Sequence, residues 1–321
     1  MRILVTGGAG FIGSHLSERL IADGHSVTVI DNFSTGRASN LAKLTGIENF
    51  ALVEGSILDI AVLKPLIDDA DYVFHLAAAV GVFNIVNNPL ASLLTNIRGT
   101  ENVLEAAHAT KTPVFLTSSS EVYGKNISDS LKESDDRILG SPVTLRWSYS
   151  EAKAIDESLA YAYYIEKQLE TRIVRFFNTV GPRQLGAYGM VVPRFVKAAL
   201  ANEPITIYGD GNQTRCFAHV YDVIDAVLAI AFANNTIGKV INIGNDFEIS
   251  ITGLAKRIVD ETKSKSDIVY VPYAEAYGEG FEDMERRVPN IDLISQLVGW
   301  KPKRDLSAMI ADISAEMKKS S

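Results

Sequence analysis

Cysteine is nearly missing from the sequence: one thiol, Cys216, in 321 residues. That excludes an intrachain disulfide and any multi-cysteine zinc site, and it fits a reducing compartment, with packing the ordinary role of the thiol. Positive charge is short as well. The formal net charge is -8, and no run of Lys and Arg supplies the local basic patch a nucleic-acid binder needs. No apolar stretch approaches the roughly 18 residues of a membrane span. The apolar start MRILVTGGAGFIG contains glycines that break the helix of a signal peptide, and no export-type cleavage region follows, so it reads as a first strand. Internal repeats and low-complexity linkers are lacking too. The expectation is a cytoplasmic protein without nucleic-acid or membrane partners and without a metal.

What is present is a globular composition, 47% hydrophobic and 22% charged, long enough for one large core or two lobes. Apolar strand-like runs alternate with helical stretches. RILVTG, SVTVIDN, FALVEG, YVFHLAAA, PVFLTSSS and TRIVRFFNTVG are the strands, and the long helices run through NPLASLLTNIRGTENVLEAAHAT and WSYSEAKAIDESLAYAYYIEKQL. The strands are continuous apolar runs, as parallel strands covered on both faces should be. This alternation predicts an α/β fold with a doubly wound parallel sheet. After Gly181 the texture changes to short strands, PITIYG and DIVYVP, and glycine-rich loops, GAYGM and AYGEGFEDMERR. The expected division is a sheet domain over 1–180 and a smaller C-terminal α/β lobe over 181–321. A segment near 218–246, carrying the buried strand GKVINIGN, is expected to return to the first domain.

In TGGAGFIG, Gly7, Gly10 and Gly13 fall between a strand and a helix. Small residues there permit a tight turn, close approach of a pyrophosphate and close helix-sheet packing, and the helix N-terminus faces the anion. Asp31 closes the second strand, where a carboxylate would bind ribose hydroxyls. It favours NAD over NADP, because a 2′-phosphate would meet its charge, although Arg37 stands nearby. Tyr149 and Lys153, in YSEAK, are four apart on a helix and share a face. An ammonium beside a phenol favours the phenolate, so the pair can form a base.

TGGAGFIGSHL, HLAA, TSSSEVYG, YSEAK, RFFNTVGPR and GNQTRCF together resemble the extended short-chain dehydrogenase/reductases that act on nucleotide sugars, over nearly the whole chain. The resemblance implies a Rossmann domain whose NAD is held by Gly7, Gly10, Phe11, Ile12, Gly13, Asp31 and Asn32. Leu76, Ala77, Ala78, Asn96, Tyr149 and Lys153 would complete that site. It also implies that Ser119 assists Tyr149 and that Asn178 and Arg215 contact the nucleotide sugar. Ser56, where relatives often carry an acid near the adenine, departs from the pattern.

Glu121 narrows the resemblance. A carboxylate at this position is similar to enzymes that work at C5 as well as C4, and the Ser120-Glu121 pair is more like UDP-glucuronate decarboxylases than dehydratases of the Asp-Glu type. RWSYSEAK, with Arg146, and AYGEGFEDMERRVPN, with Arg287, resemble UDP-glucuronate decarboxylases and UDP-apiose/UDP-xylose synthases. By that likeness Arg287, or its neighbour Arg286, sits at the sugar or its phosphates and is a candidate proton donor, while Glu121 orients the sugar or handles protons near C5. The implied reaction is C4 oxidation of a UDP-linked sugar followed by decarboxylation of UDP-glucuronate. A UDP-sugar 4-epimerase, a 4,6-dehydratase and a non-catalytic NAD-binding sensor or scaffold stand as alternatives. GPRQLGAYGMVVPRF differs from the decarboxylase pattern. In the family, the helices around 88–110 and 147–169 form a homodimer surface; Ala154, Ile155, Leu159 and Ala162 would suit it, or the intrachain core.

Overall fold

The computed structural model describes residues 1–319 except 82–84, 86, 187–189, 274 and 276–283. In chain order, β1 (Arg2–Thr6), α1 (Phe11–Ala22), β2 (Ser26–Asp31) and β3 (Phe50–Glu54) are followed by α2 (Ile60–Asp68), β4 (Tyr72–His75) and α3 (Pro89–Thr110). Then come β5 (Val114–Ser119), α4 (Ser148–Lys167) and β6 (Thr171–Phe176). These six strands and a later one, β11 (Val240–Ile243), form a parallel sheet in the order β11-β6-β5-β4-β1-β2-β3. The winding reverses between β1 and β4. Ligands of such sheets bind outside the carboxyl ends of the strands at that reversal.

The apolar runs divide their side chains between two faces. Val5, Phe74, Phe115, Val174 and Ile241 pack with α1 on one side. Leu4, Val73, Val114, Leu116 and Ile173 pack with α2, α3 and α4 on the other. This double coverage is why the strands are apolar without alternation. FALVEG is the exception: β3 is the edge strand, and Leu52 is 41% exposed.

Beyond β6 the chain forms β7 (Thr179–Val180), α5 (Val191–Ala201), β8 (Ile205–Tyr208), β9 (Thr214–Cys216), β10 (Ala218–His219) and α6 (Val220–Ala231). β11, β12 (Glu248–Ser250), α7 (Ile251–Thr262), β13 (Ile268–Val271), α8 (Asp292–Val298) and α9 (Leu306–Lys319) complete it. Here β13 pairs with β8 in parallel and β12 with β9 antiparallel. Val192, Phe195, Ile205, Leu254, Ile258 and Ile310 build a separate apolar core from α5, β8, α7 and α9. Between these elements, α6 joins the core of the large sheet, with Val220, Val223 and Val227 beside Leu16 and Leu20 of α1. β11 then lies in register on β6, Ile241 opposite Val174. PITIYG and DIVYVP are strands as expected; most of GAYGM and of AYGEGFEDMERR falls outside the described residues.

Candidate active site

A cavity of about 520 Å³ runs from the glycine turn after β1, past the ends of β4 and β5, to Arg215 and Arg287. At one end Gly7 adopts φ +70°, and a Cβ there would stand 2.7 Å from the amide nitrogen of Ala77. Only glycine fits both constraints. Gly10 opens α1 as its N-cap, so the first turn of that helix, Phe11 to Gly13, borders the cavity. Asp31 closes this end, its carboxylate accepting from the amides of Ala9 at 2.9 Å and Phe33 at 2.8 Å. Burial pushes its pKa up, against those two amides. A glycine cradle, a helix N-terminus and a carboxylate at the second strand end match the donor set a dinucleotide needs.

Gly7, Gly10, Phe11, Ile12, Gly13, Asp31, Asn32, Leu76, Ala77, Ala78, Tyr149 and Lys153 all line the cavity. Asn96 does not stand with them. It lies buried on α3, where its side chain accepts from Ala79 N at 2.7 Å and donates to Ala79 O at 3.2 Å. It props the loop after β4 from behind; the sequence places it on a helix but not on a face of that helix.

The reactive groups meet at the end of β5. Ser119 ends the strand and caps a 3-10 turn, Ser120–Tyr123, accepting from Glu121 N at 3.3 Å. The turn stops at Gly124, φ +60°. The three serines serve three partners. Ser118 donates to Glu157 at 2.5 Å, and Glu157 is gripped by Arg175 at 2.9 and 2.7 Å. Ser119 meets the Tyr149 oxygen. Ser120 accepts from Arg287 at 3.4 Å. Burial pushes the Tyr149 pKa up, with Glu121 and Asp156 adding to it, while Lys153 and Ser119 pull it down. Lys153 is buried, donating to Thr117 O at 3.0 Å and to Asp156 at 3.1 Å. Burial works against its ammonium, but Asp156 and the Tyr149 oxygen outweigh it and hold the pKa above the usual lysine value.

Glu121 binds two cations, Arg146 at 2.6 Å and Arg287 at 2.8 Å. Burial alone would raise its pKa; the two guanidiniums overcome that and hold it at about 2. At neutral pH Glu121 is therefore held as a carboxylate paired with the two cations. Arg146 and Arg287 are themselves buried, and Arg287 Nε has no hydrogen-bond partner among the described residues. The adjacent Arg286 turns away to Glu248, at 2.7 and 2.8 Å, and does not line the cavity. Asn178, which donates to Cys216 O at 2.9 Å, and Arg215 both line it.

Some lining residues were not singled out from the sequence. Arg183, at φ +70°, reaches Ser14 at 3.1 Å and Glu18 at 2.5 Å. Arg194 stacks its guanidinium 4.2 Å from the ring centre of Tyr208, and Gln213 donates to Tyr208 O and to the Tyr273 hydroxyl. Gln213 sits inside GNQTRCF, Arg183 ends RFFNTVGPR, and Arg183 and Arg194 both lie in GPRQLGAYGMVVPRF, so the segments were visible although the individual residues were not picked out.

Residues 3–244 match the NAD dependent epimerase/dehydratase family. The chain belongs to that family. Its cofactor is NAD, and the glycine cradle and Asp31 are where this epimerase/dehydratase family member would hold it. The chain is 42% identical, over 94% of its length and 92% of the relative's, to a UDP-N-acetyl-alpha-D-glucosaminuronate decarboxylase of Bacillus cytotoxicus. It is 38% identical to UDP-glucuronic acid decarboxylase 1 of Xenopus tropicalis, over 94% of this chain and 68% of that one. Among solved structures it is similar to the UDP-glucuronic acid 4-epimerase of Bacillus cereus in complex with UDP-glucuronic acid and NAD. The TM-score is 0.89 at 30% identity, over 100% of both chains. Among the described residues, no helix is long and apolar enough to cross a membrane.

Proposed function

We propose that the protein oxidises C4 of a UDP-linked hexuronate and then releases its C6 carboxylate as carbon dioxide. The observation that carries this reading is Arg287. Fixed by Glu121 on the cavity wall beside Ser120, with a buried Nε that has no partner among the described residues, it offers a cation to a carboxylate on the sugar. The decarboxylases among its relatives support the same reading.

Gly7, Gly10, Gly13, Asp31 and the Leu76–Ala78 loop would hold NAD, which supplies the hydride acceptor for C4. Tyr149 takes the proton of the C4 hydroxyl, a general-base contribution of about 10²–10⁴. Lys153 supports the phenolate. Oxidised C4 is a ketone β to the C6 carboxylate, so the C5–C6 bond can break with its electrons held as the C4 enolate; a proton at C5 then gives the 4-keto pentose, and return of the hydride with a proton at the C4 oxygen would give the pentose. Ser119 and the Tyr149 hydroxyl stabilise that oxygen by hydrogen bonds. Arg287, with Arg146, holds the sugar, while Asn178 and Arg215 serve the nucleotide portion. Glu121 keeps both arginines in place.

A 4-epimerase acting on a hexuronate is the second reading, favoured by the similarity to the Bacillus cereus epimerase. Incubating the holoenzyme with UDP-glucuronate, UDP-N-acetylglucosaminuronate and UDP-glucose separates the two. Carbon dioxide and a pentose product from a hexuronate support decarboxylation, and a C4 epimer with retained carboxylate replaces it. The protein works as a homodimer in the cytoplasm in this reading. Ala154 and Leu159 are committed to the intrachain core, whereas Ile155, Tyr161 and Ile165 of α4 are 41%, 48% and 56% exposed and suit a second copy. A monomeric sedimentation profile at micromolar concentration would exclude that assembly.

A further inference from the structure

Lys153 is gripped from below by an acid that does not touch the cavity. Asp156, one turn further along α4, has no exposed surface and lies 3.1 Å from Lys153 Nζ. Its other oxygen, Oδ1, is buried with no hydrogen-bond partner among the described residues. A buried ion pair left half-satisfied gives little net stability, because desolvation of both charges offsets their attraction. Its cost calls for another explanation.

A buried polar chain leads to this carboxylate from the cofactor side of the sheet. Ala77 N donates to Thr6 Oγ1 at 3.1 Å, and Thr6 Oγ1 lies 2.8 Å from His75 Nδ1. His75 Nε2 lies 3.1 Å from Thr100 Oγ1, and Thr100 acts on Asp156 from α3, stabilising its charge. With Thr6 accepting from Ala77 N, its own proton is free to go to Nδ1, which selects one of the two His75 tautomers. The imidazole proton then sits on Nε2, and the Thr100 proton is left for Asp156. In that tautomer every donor points toward the carboxylate. Because the chain begins at a backbone amide, which cannot give up its proton, it is no exit for protons. It polarises and fixes one anion.

The geometry points to Asp156 as a positioning residue that keeps Lys153 charged and in place, so that the first proton surrendered by the Tyr149–Lys153 pair comes from the phenol. The groups that act here are Lys153, Glu157 and Tyr149 on α4, His75 on β4, Thr100 on α3 and Glu121 after β5. Burial holds His75 neutral, at a pKa of about 3. Without the charge of Asp156, the buried ammonium loses the partner that opposes its desolvation. Lys153 then deprotonates ahead of Tyr149, and the loss of that neighbouring cation outweighs the relief of Asp156's own repulsion of the phenolate, so the phenolate forms at higher pH.

The inference rests on Tyr149 acting as the base at C4, as proposed above, but a sugar-free titration keeps it separate from the identity of the substrate. The holoenzyme and its Asp156→Asn variant are titrated by ultraviolet difference absorbance, each against the matching Tyr149→Phe protein. The expected result is an upward shift of phenolate formation by at least about one pH unit, a tenfold loss of phenolate at a given pH. Thr100→Val, which keeps the charge and removes one stabilising hydroxyl, is expected to shift it the same way by less, and it serves should Asp156→Asn fail to fold. In turnover, the acid limb of the pH profile moves to higher pH with the phenolate. A limb that stays in place or moves down in the variant that folds overturns the assignment, as does a uniform loss of rate at all pH values.

Discussion

Arg287 Nη2 lies 2.8 Å from Glu121 Oε1, so the turn after β5 holds a residue that arrives from the last part of the chain. The strand of backbone carrying Arg287 is also pinned, since Leu131 N donates to Val288 O at 2.8 Å and Asn290 N to Leu131 O at 2.8 Å. That end of the cavity is therefore assembled from segments far apart in the sequence.

That pairing makes the fold acid-sensitive in a defined window. Glu121 has its pKa depressed from 4.5 to about 2. Its contribution is fully present above about pH 4.5 and is lost as pH falls through 2. The depression corresponds to about 3 kcal/mol. Urea titrations at pH 7 and pH 3 should show that Glu121→Gln removes part of the acid destabilisation seen in the native protein, while lowering stability at pH 7.

Neighbouring arginines should behave differently. Arg287→Met is expected to abolish carbon dioxide release from the hexuronate while bound NAD is retained. Arg286→Met breaks a partly exposed pair with Glu248, worth about 0–1 kcal/mol, and should leave turnover within a few-fold. Equal losses in the two variants would contradict the placement of Arg287 at the sugar.

Gly7→Ala forces both a positive φ and a clash with the backbone at Ala77. The expected outcome is protein that folds but purifies with little NAD, read from its absorbance and from cofactor released on denaturation. Full cofactor occupancy would mean that the turn shifts more easily than its surroundings suggest.

His75 opposes folding at mild acidity. Its pKa falls from 6.5 to about 3 on burial, so below pH 6.5 the unfolded chain binds a proton that the folded protein refuses. Stability should drop by about 1.4 kcal/mol per pH unit from this one group. His15, at about 4, adds a second such term over a narrower span. Denaturant curves between pH 7 and pH 5 should flatten by about one proton in His75→Asn.

The sheet was readable because two-sided burial writes itself as unbroken apolar strands, and the glycine turn because Gly7 and Gly13 have no room for a side chain. Tyr149 and Lys153 followed from helix geometry. Asn96 and Arg286 show where one-dimensional reading stops. Both sit next to functional positions, but a helix face and the alternation of an extended segment decide which neighbour reaches the cavity. The protonation state of Glu121 was equally out of reach, since it depends on Arg146 and Arg287 converging from distant segments.

The placement of β11 bears on how this chain can be cut. A fragment ending near residue 180 would leave the outer rim of β6 with a row of unclaimed amides and carbonyls, and would strip α6 from the hydrocarbon surface of α1. Such a piece should stick to itself and precipitate, whatever affinity its glycine turn has for a nucleotide. A free-standing cofactor-binding half would require grafting residues 218–246 back on, and sheet completion during synthesis must wait until that stretch has left the ribosome.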